Sequence, residues 1–588
     1  MNTFWRVTRI MTHRLTKKYR FSETTVLIVL ACIVGLATAL GAVAFIRLIL
    51  YAKGLFFGSS VDLVHLVSQD LQYWEILIPA VGGLLVGPIV YKFAKEAKGH
   101  GVPEVMVAVA FKGGMIRPRV AIAKAVASAI CIGSGGSAGR EGPIVQIGAA
   151  IGSVVGQIFH MSERRVRVLV GCGAAAGISA VFNAPIAGVI FSLEIILGDF
   201  AVKTFAPVIL SSVVASVVSR SLLGNSPAFM VPKYALISAY EIPLYVVLGL
   251  ICGIVAVTFT RVLFVAEDLS DNAKIPGILK PAVGGLLLGT VAIFLPQIYA
   301  DGYESIHAAL SGEFGIAFLF ILIFAKIFAT SLTLGSGNSG GIFAPSLFMG
   351  AMAGGWFGSL VHQWFPTVTA PSGAYALVGM AAVVAGTTHA PITAILIVFE
   401  MTGDYRIILP VMVACVFATL AANKILPESI YTLKLVRQGI NLKRGKDQEV
   451  LDTHKVREVM RSDFISIPPQ MPLRAIMALM EKSNQMDFPI VDHERRYIGM
   501  VSFNDLRQAL AKDYVADLVV AQDLAHTEYP HLHEDDSLGE AFQKLGVRDL
   551  SSLAVLGLPG NERVSGLLLK SELTSYYNRR LVEKFNTS

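Results

Sequence analysis

The sequence predicts an all-α, multi-span membrane protein with a small soluble α/β domain behind it. Three observations carry that prediction. The 588-residue chain is 54% hydrophobic and only 15% charged, with a mean hydropathy of +0.62, more apolar than one globular core uses. Charge density then jumps: about one residue in nine is charged before position 440 and more than one in four after it. Finally, the apolar part contains two copies of one unit.

Taken in order, apolar stretches occupy 25–51 and then about 73–91, 168–197, 203–223, 240–265, 278–298, 316–334, 374–400 and 408–426. Several exceed the ~20 residues that cross hydrocarbon. Others are short or interrupted by Gly and Pro, as expected of helices that stop midway. The first is too long for the core of a signal peptide and further spans follow it, so it reads as retained. Arg6, Arg9, Arg14, Lys17, Lys18 and Arg20 precede it. Under the positive-inside rule they put the N-terminal segment, 1–24, in the cytoplasm of a cell-membrane protein, and the soluble tail is expected on the same side. The pI of 9.0 reflects these flanks rather than a nucleic-acid surface. Cys32, Cys131, Cys172, Cys252 and Cys415 all fall in the apolar part without metal-ligand spacing, so they read as small apolar residues, with no metal site and no disulfide implied.

The duplication is direct. PAVGGLLVG at 79–87 recurs as PAVGGLLLG at 281–289, an offset of 202. At that offset GSGGSAGREGPIVQIGAAIGSVVG (133–156) lies over GSGNSGGIFAPSLFMGAMAGGWFG (335–358), with 10 of 24 positions identical, and Lys124 falls on Lys326. NAPIAGVIFSLE (183–194) matches HAPITAILIVFE (389–400) at offset 206. The repeats occupy about 25–223 and 240–437. Duplicated membrane units pack about a pseudo-two-fold axis with the working site at their interface, so 133–143 and 335–345 are expected to meet.

Each of these loops runs through Gly and Ser into an apolar segment with a Pro near its start, Pro143 or Pro345. Proline suits the first helical turn, so each reads as a loop feeding a helix N-terminus. Such an end offers free N–H groups and partial positive charge, about 0.3–1 kcal/mol for an anion and up to ~2 when partly buried. Several converging ends give millimolar-grade binding, roughly 4 kcal/mol, the moderate grip that conduction needs. Glu141, beside Arg140, is a carboxylate in a membrane segment, costing about 2.5–3.5 kcal/mol and therefore a functional candidate. Tethered at an anion site, it can occupy the site itself and leave on protonation. Close helix packing through small residues is the bland alternative. GGSAG (135–139) also fits the nucleophile-elbow pattern of serine hydrolases. GNSGG (337–341) fits it at the matching position, and no His–Asp arrangement is near either serine, which favours a paired ion site.

GREGP (139–143), GIFAP (341–345) and GHGVP (99–103) closely resemble the anion-filter motifs of the CLC chloride channels and chloride/proton antiporters. FNAPIAG (182–188), FEMTGDY (399–405) and SIYTLKL (429–435) fit the same family in order, so the resemblance covers about 25–437. It implies an inverted repeat of broken and re-entrant helices, a homodimer, and a chloride pathway in each subunit. By the same resemblance Glu141 is the gating glutamate. Ile342 and Phe343 give backbone N–H groups to the anion, Tyr431 gives its hydroxyl from the cytoplasmic side, and His100, Gly101, Arg140 and Gly142 complete the anion-binding motifs. Two departures stand out. His100 replaces the family's usual serine. Glu194 fits the first of two adjacent acids, but Ile195 occupies the place of the second, the internal proton acceptor; Glu194 and its repeat mate Glu400 read as structural. Isoleucine carries no proton, so the sequence favours a passive pathway gated by Glu141, with a chloride/proton antiporter using another internal route as the alternative.

After a linker, 438–455, residues 456–511 resemble a cystathionine-β-synthase (CBS) domain, with strands at FPIV and YIGMVS between helices, and a weaker copy follows at about 520–580. Paired CBS domains often bind an adenine nucleotide (ATP, ADP or AMP), the alternative being a dimerisation module without ligand; Ser502 and Asp505 fit the ribose- and phosphate-contacting positions, with Leu569 and Glu572 in their places in the second copy. A nucleotide sensor that is merely anchored by its membrane part is the reading from another class, but paired filter loops are more than an anchor needs.

Overall fold

Gly and Pro divide the apolar runs into helices of very unequal length. The computed structural model describes residues 23–58, 73–224, 234, 237–238, 240–403, 405–440, 454–483, 485–503, 505–506, 519–525, 529–547, 551–557 and 562–576. The basic cluster Arg6 to Arg20 and most of the expected linker lie outside them. In the first repeat the helices are α1 (Glu23–Phe57), α2 (Leu77–Pro88), α3 (Val102–Phe111), α4 (Pro118–Gly133), α5 (Glu141–Ile158), α6 (Glu163–Phe182), α7 (Pro185–Phe191, continued by a π turn, Ser192–Leu197) and α8 (Val202–Leu223). The second has α9 (Glu241–Asn272), α10 (Lys280–Ala292), α11 (Tyr303–Ser311), α12 (Ile316–Gly335), α13 (Phe343–Trp364), α14 (Ser372–Thr388), α15 (Pro391–Thr402) and α16 (Ile408–Ile425), followed by α17 (Ile430–Arg437). Among the described residues, six helical stretches are long and apolar enough to cross a bilayer.

The runs at 168–197 and 374–400, single stretches by hydropathy, are each two helices. Asn183 and His389 take the left-handed conformation, with φ 57° and 56°, and the proline two residues on opens the next helix. Proline disfavours helical backbone in the residue before it, a constraint that hydropathy does not register.

The repeats face each other mate to mate. Helices α2 and α10 cross where a side chain on Gly83 would strike the carbonyl of Pro281, and one on Gly285 would strike that of Pro79. These four positions are two pairs related by the 202-residue offset, so the duplicated PAVGG motif is a reciprocal close-packing contact between copies. A second reciprocal contact joins α7 to α15. Glu400 accepts hydrogen bonds from the amides of Ile186 (3.0 Å) and Ala187 (2.7 Å), while Glu194 accepts from the amide (2.8 Å) and hydroxyl (2.6 Å) of Thr393. Each acid thus caps the helix start of the other repeat, satisfying orphan N–H groups and the positive helix end.

The unit Asn441–Ser588 has its own cores. In its first half α18 (Leu473–Lys482) packs through Leu473 and Ile476 on β1 (Phe488–Val491), which pairs antiparallel with β2 (Tyr497–Val501). In its second half β3 (Leu532–His533) runs parallel to β4 (Ser552–Leu556) and β4 antiparallel to β5 (Val564–Leu569), covered by α19 (Leu538–Val547). Asp487 ties the halves by accepting from the Ser552 hydroxyl at 2.7 Å, and burial pushes its carboxyl above the usual range.

Glu194→Ala and Glu400→Ala are each expected to cost about 1–2 kcal/mol, the size of a lost helix cap, with glutamine recovering part of it. Thermal unfolding in detergent measures this; unchanged midpoints would remove the capping role.

Candidate functional site

The two glycine loops meet as the duplication requires. Gly139 donates its N–H to the carbonyl of Gly341 at 2.8 Å, and Gly341 returns the bond to Gly139 at 2.6 Å, an antiparallel bridge. Antiparallel pairing of equivalent residues means that the chain runs in opposite directions in the two copies at this point. A third loop joins them: Gly99 donates to the carbonyl of Asn338 (3.1 Å), and Gly340 to that of Gly99 (3.2 Å). A Cβ on Gly142 would collide with the carbonyl oxygen of His100 and lie 3.1 Å from Cα of Gly341, so glycine is required where the three loops touch.

The elbow serines are used in this joint. Ser137 bonds the Thr330 hydroxyl at 3.1 Å, and its repeat mate Ser339 bonds that of Ser128 at 2.9 Å, the same contact taken from each copy to the other. Two mates also anchor the loops from behind. The ammonium of Lys124 donates to the carbonyls of Ala97 (3.1 Å) and Gly99 (2.6 Å), and that of Lys326 to Ile298 and Ala300, both at 3.0 Å. Both lysines are fully buried, so four carbonyl bonds offset their desolvation.

From this joint helices α3, α5 and α13 start, and none is capped by the side chain of its own N-cap residue. The structure brings together the expected residues Gly101, Arg140, Glu141, Gly142, Ile342 and Phe343 at these starts. The Glu141 carboxylate is 1% exposed. One oxygen accepts from the hydroxyl of Tyr303 at 2.9 Å, and the other lies 3.4 Å from the amide of Ala344 in the first turn of α13. The carboxylate therefore sits on a helix start of the opposite repeat. Arg140 lies over the Tyr303 ring, 4.9 Å from its centroid. The buried rings of His100 and Tyr431 lie together, centroids 5.8 Å apart, with His100 Nδ1 unpartnered. Lys434, one turn beyond Tyr431, pairs with Glu104 at 2.6 Å.

Tyr303 was not among the residues that the sequence singled out. Its turn, Asp301–Gly302–Tyr303, is the counterpart of His100–Gly101–Val102. Both central glycines are left-handed, at φ 78° and 86°, and both turns precede a helix. Only the glycine is shared, at an offset of 201 instead of 202, so identity matching misses it. In the tail, Ser502 and Asp505 bond each other, the amide and hydroxyl of Ser502 donating to Asp505 at 2.9 and 2.6 Å. Glu572 pairs with Arg461.

A family model described as voltage gated chloride channel matches residues 82–423, and the CBS domain model matches 456–512. A ClcB-like protein of Ralstonia nicotianae is 33% identical over 416 residues, covering 70% of this chain and 97% of that one. An H(+)/Cl(−) exchange transporter, ClcA of Vibrio cholerae, is 34% identical over 407 residues, covering 65% and 86%. The crystal structure of a slow cyanobacterial Cl−/H+ antiporter superposes with a TM-score of 0.65 at 27% identity, covering 71% of this chain and 98% of that one. The chain belongs to the CLC family of voltage-gated chloride channels and transporters. It is a multi-pass membrane protein of an anion-transport family, with a CBS domain pair behind its membrane unit.

Gly142→Ala is expected to lower chloride flux in liposomes by about tenfold or more, since displacements near 1 Å at such sites are that costly. Gly54→Ala, with nothing within 4 Å of the added carbon, is the control. Wild-type flux from Gly142→Ala would show that the three-loop joint does not position the site.

Proposed function

We propose that this protein exchanges chloride for protons, with Glu141 as both the blocking group and the proton carrier. The observation that supports this most is the contact of its carboxylate with the α13 helix start. Ionised, Glu141 fills the place of an anion. Protonated, it loses its attraction to the Ala344 amide and yields the α13 start to chloride, held there and by the N–H groups of Ile342, Phe343, Gly142 and Gly101. Arg140 adds positive charge beside the loops, while the Tyr431 hydroxyl and the His100 imidazole meet the ion from the cytoplasmic side.

The sequence alone favours a passive pathway, because Ile195 carries no proton. Coupling is supported by relatives named as exchangers, a transporter at 34% identity and an antiporter structure at 27%, beside others named as chloride channels. Glu194, committed to capping α15, is poorly placed to replace the missing acid, so the internal proton arrives by water or another acid. The family likeness also supports a homodimer with one pathway per subunit, both termini cytoplasmic, and an adenine nucleotide at the CBS pair contacting Ser502 and Asp505.

A proton gradient across liposomes containing the purified protein is expected to drive chloride uphill; movement only down its own gradient would restore the passive reading. Glu141→Gln is expected to uncouple protons and leave chloride flux independent of pH, and a variant that keeps the wild-type pH profile would refute the gate. For the tail, calorimetry of the full chain in detergent is expected to show heat with ATP, ADP or AMP that Asp505→Ala removes. No heat at millimolar nucleotide ends the sensor role.

A further inference from the structure

We infer that Tyr303 is a positioning residue for the gate: its hydroxyl holds the Glu141 carboxylate against the α13 helix start and so sets how readily the pathway opens. This rests on the reading of Glu141 as the blocking group.

The phenol is held rigidly. Tyr303 is the first residue of α11, and the turn before it is fixed by Lys326 through the carbonyls of Ile298 and Ala300. At the bend, a Cβ on Gly302 would lie 2.7 Å from the Phe348 ring and 3.2 Å from the Lys326 ammonium, so the turn packs closely on both. From this support the hydroxyl reaches Glu141 at 2.9 Å, and Arg140 covers the ring face. A hydroxyl donating to a carboxylate in a buried site makes a charge-assisted bond, stronger than a neutral one.

The internal symmetry isolates the feature. The repeat counterpart of Glu141 is Phe343 and that of Tyr303 is Val102, so one copy has an acid and a phenol where the other has two apolar side chains. A tyrosine needed only to fill space could be apolar in both. The charged and titratable groups facing Glu141 are Arg140 beside it, Tyr303 and Asp301 from the turn into α11, and Tyr431 from α17. Tyr303 is the one among them whose hydroxyl bonds the carboxylate.

Tyr303→Phe keeps the ring face that Arg140 covers and deletes the hydroxyl, with its bonds to Glu141 and to Arg140. In liposomes, chloride efflux near neutral pH is expected to rise about tenfold, and the half-activating pH to move up by about one unit, the equivalent of that factor. In a Glu141→Gln background the same substitution is expected to change nothing. A monodisperse Tyr303→Phe protein with the wild-type rate and pH profile, alongside a Glu141→Gln protein insensitive to pH, overturns the latch and leaves the gate standing. A Glu141→Gln protein with the wild-type pH profile overturns the gate and the latch with it.

Discussion

The membrane unit depends on a pair of hydrogen bonds between two glycines. Gly139 and Gly341 exchange N–H and carbonyl across the repeat interface, and that exchange aims two helix starts at one point. A backbone ladder in the middle of a membrane protein is tolerated only where protein surrounds it, and here lysines, serines and threonines from both copies supply that surrounding. The bridge holds the starts of α5 and α13 beside each other across the repeat interface. Glycine is required at 341 because a Cβ there would lie 2.8 Å from the Gly142 nitrogen, and at 139 because one would strike the Glu141 carboxylate.

The same reciprocity governs the rest of the unit. What one copy gives, the other returns: Gly83 to Pro281 and Gly285 to Pro79, Glu194 to α15 and Glu400 to α7, Ser137 to Thr330 and Ser339 to Ser128. The proposed gate lies where this symmetry is broken. Glu141 stands opposite Phe343 in the alignment of the copies, and Tyr303 opposite Val102. A scaffold of matched contacts thus carries one acid and one phenol that have no counterparts.

Much of this was legible from residues alone. The duplicated motifs located the interface, and the Pro that opens each helix located the free amides. The apolar runs did not show the breaks at Asn183 and His389, because a left-handed residue changes direction without changing hydropathy. Tyr303 was hidden for a different reason: its turn is equivalent in backbone shape to 100–102 but shares only a glycine, and no one-dimensional pattern records which side chain an acid 162 positions away will meet. The capping role of Glu194 and Glu400 lay between these cases, since the acids aligned in sequence while the amides they bind became evident only in three dimensions.

The amides of facing half-helices are proposed to form the anion site that Glu141 occupies when no ion is bound. Anomalous diffraction from Glu141→Gln crystals grown in bromide tests this most directly. A bromide peak is expected within hydrogen-bond reach of the amides of Phe343 and Ala344, where the carboxylate otherwise lies. Bromide bound elsewhere in the membrane unit, with those helix starts empty, would contradict it.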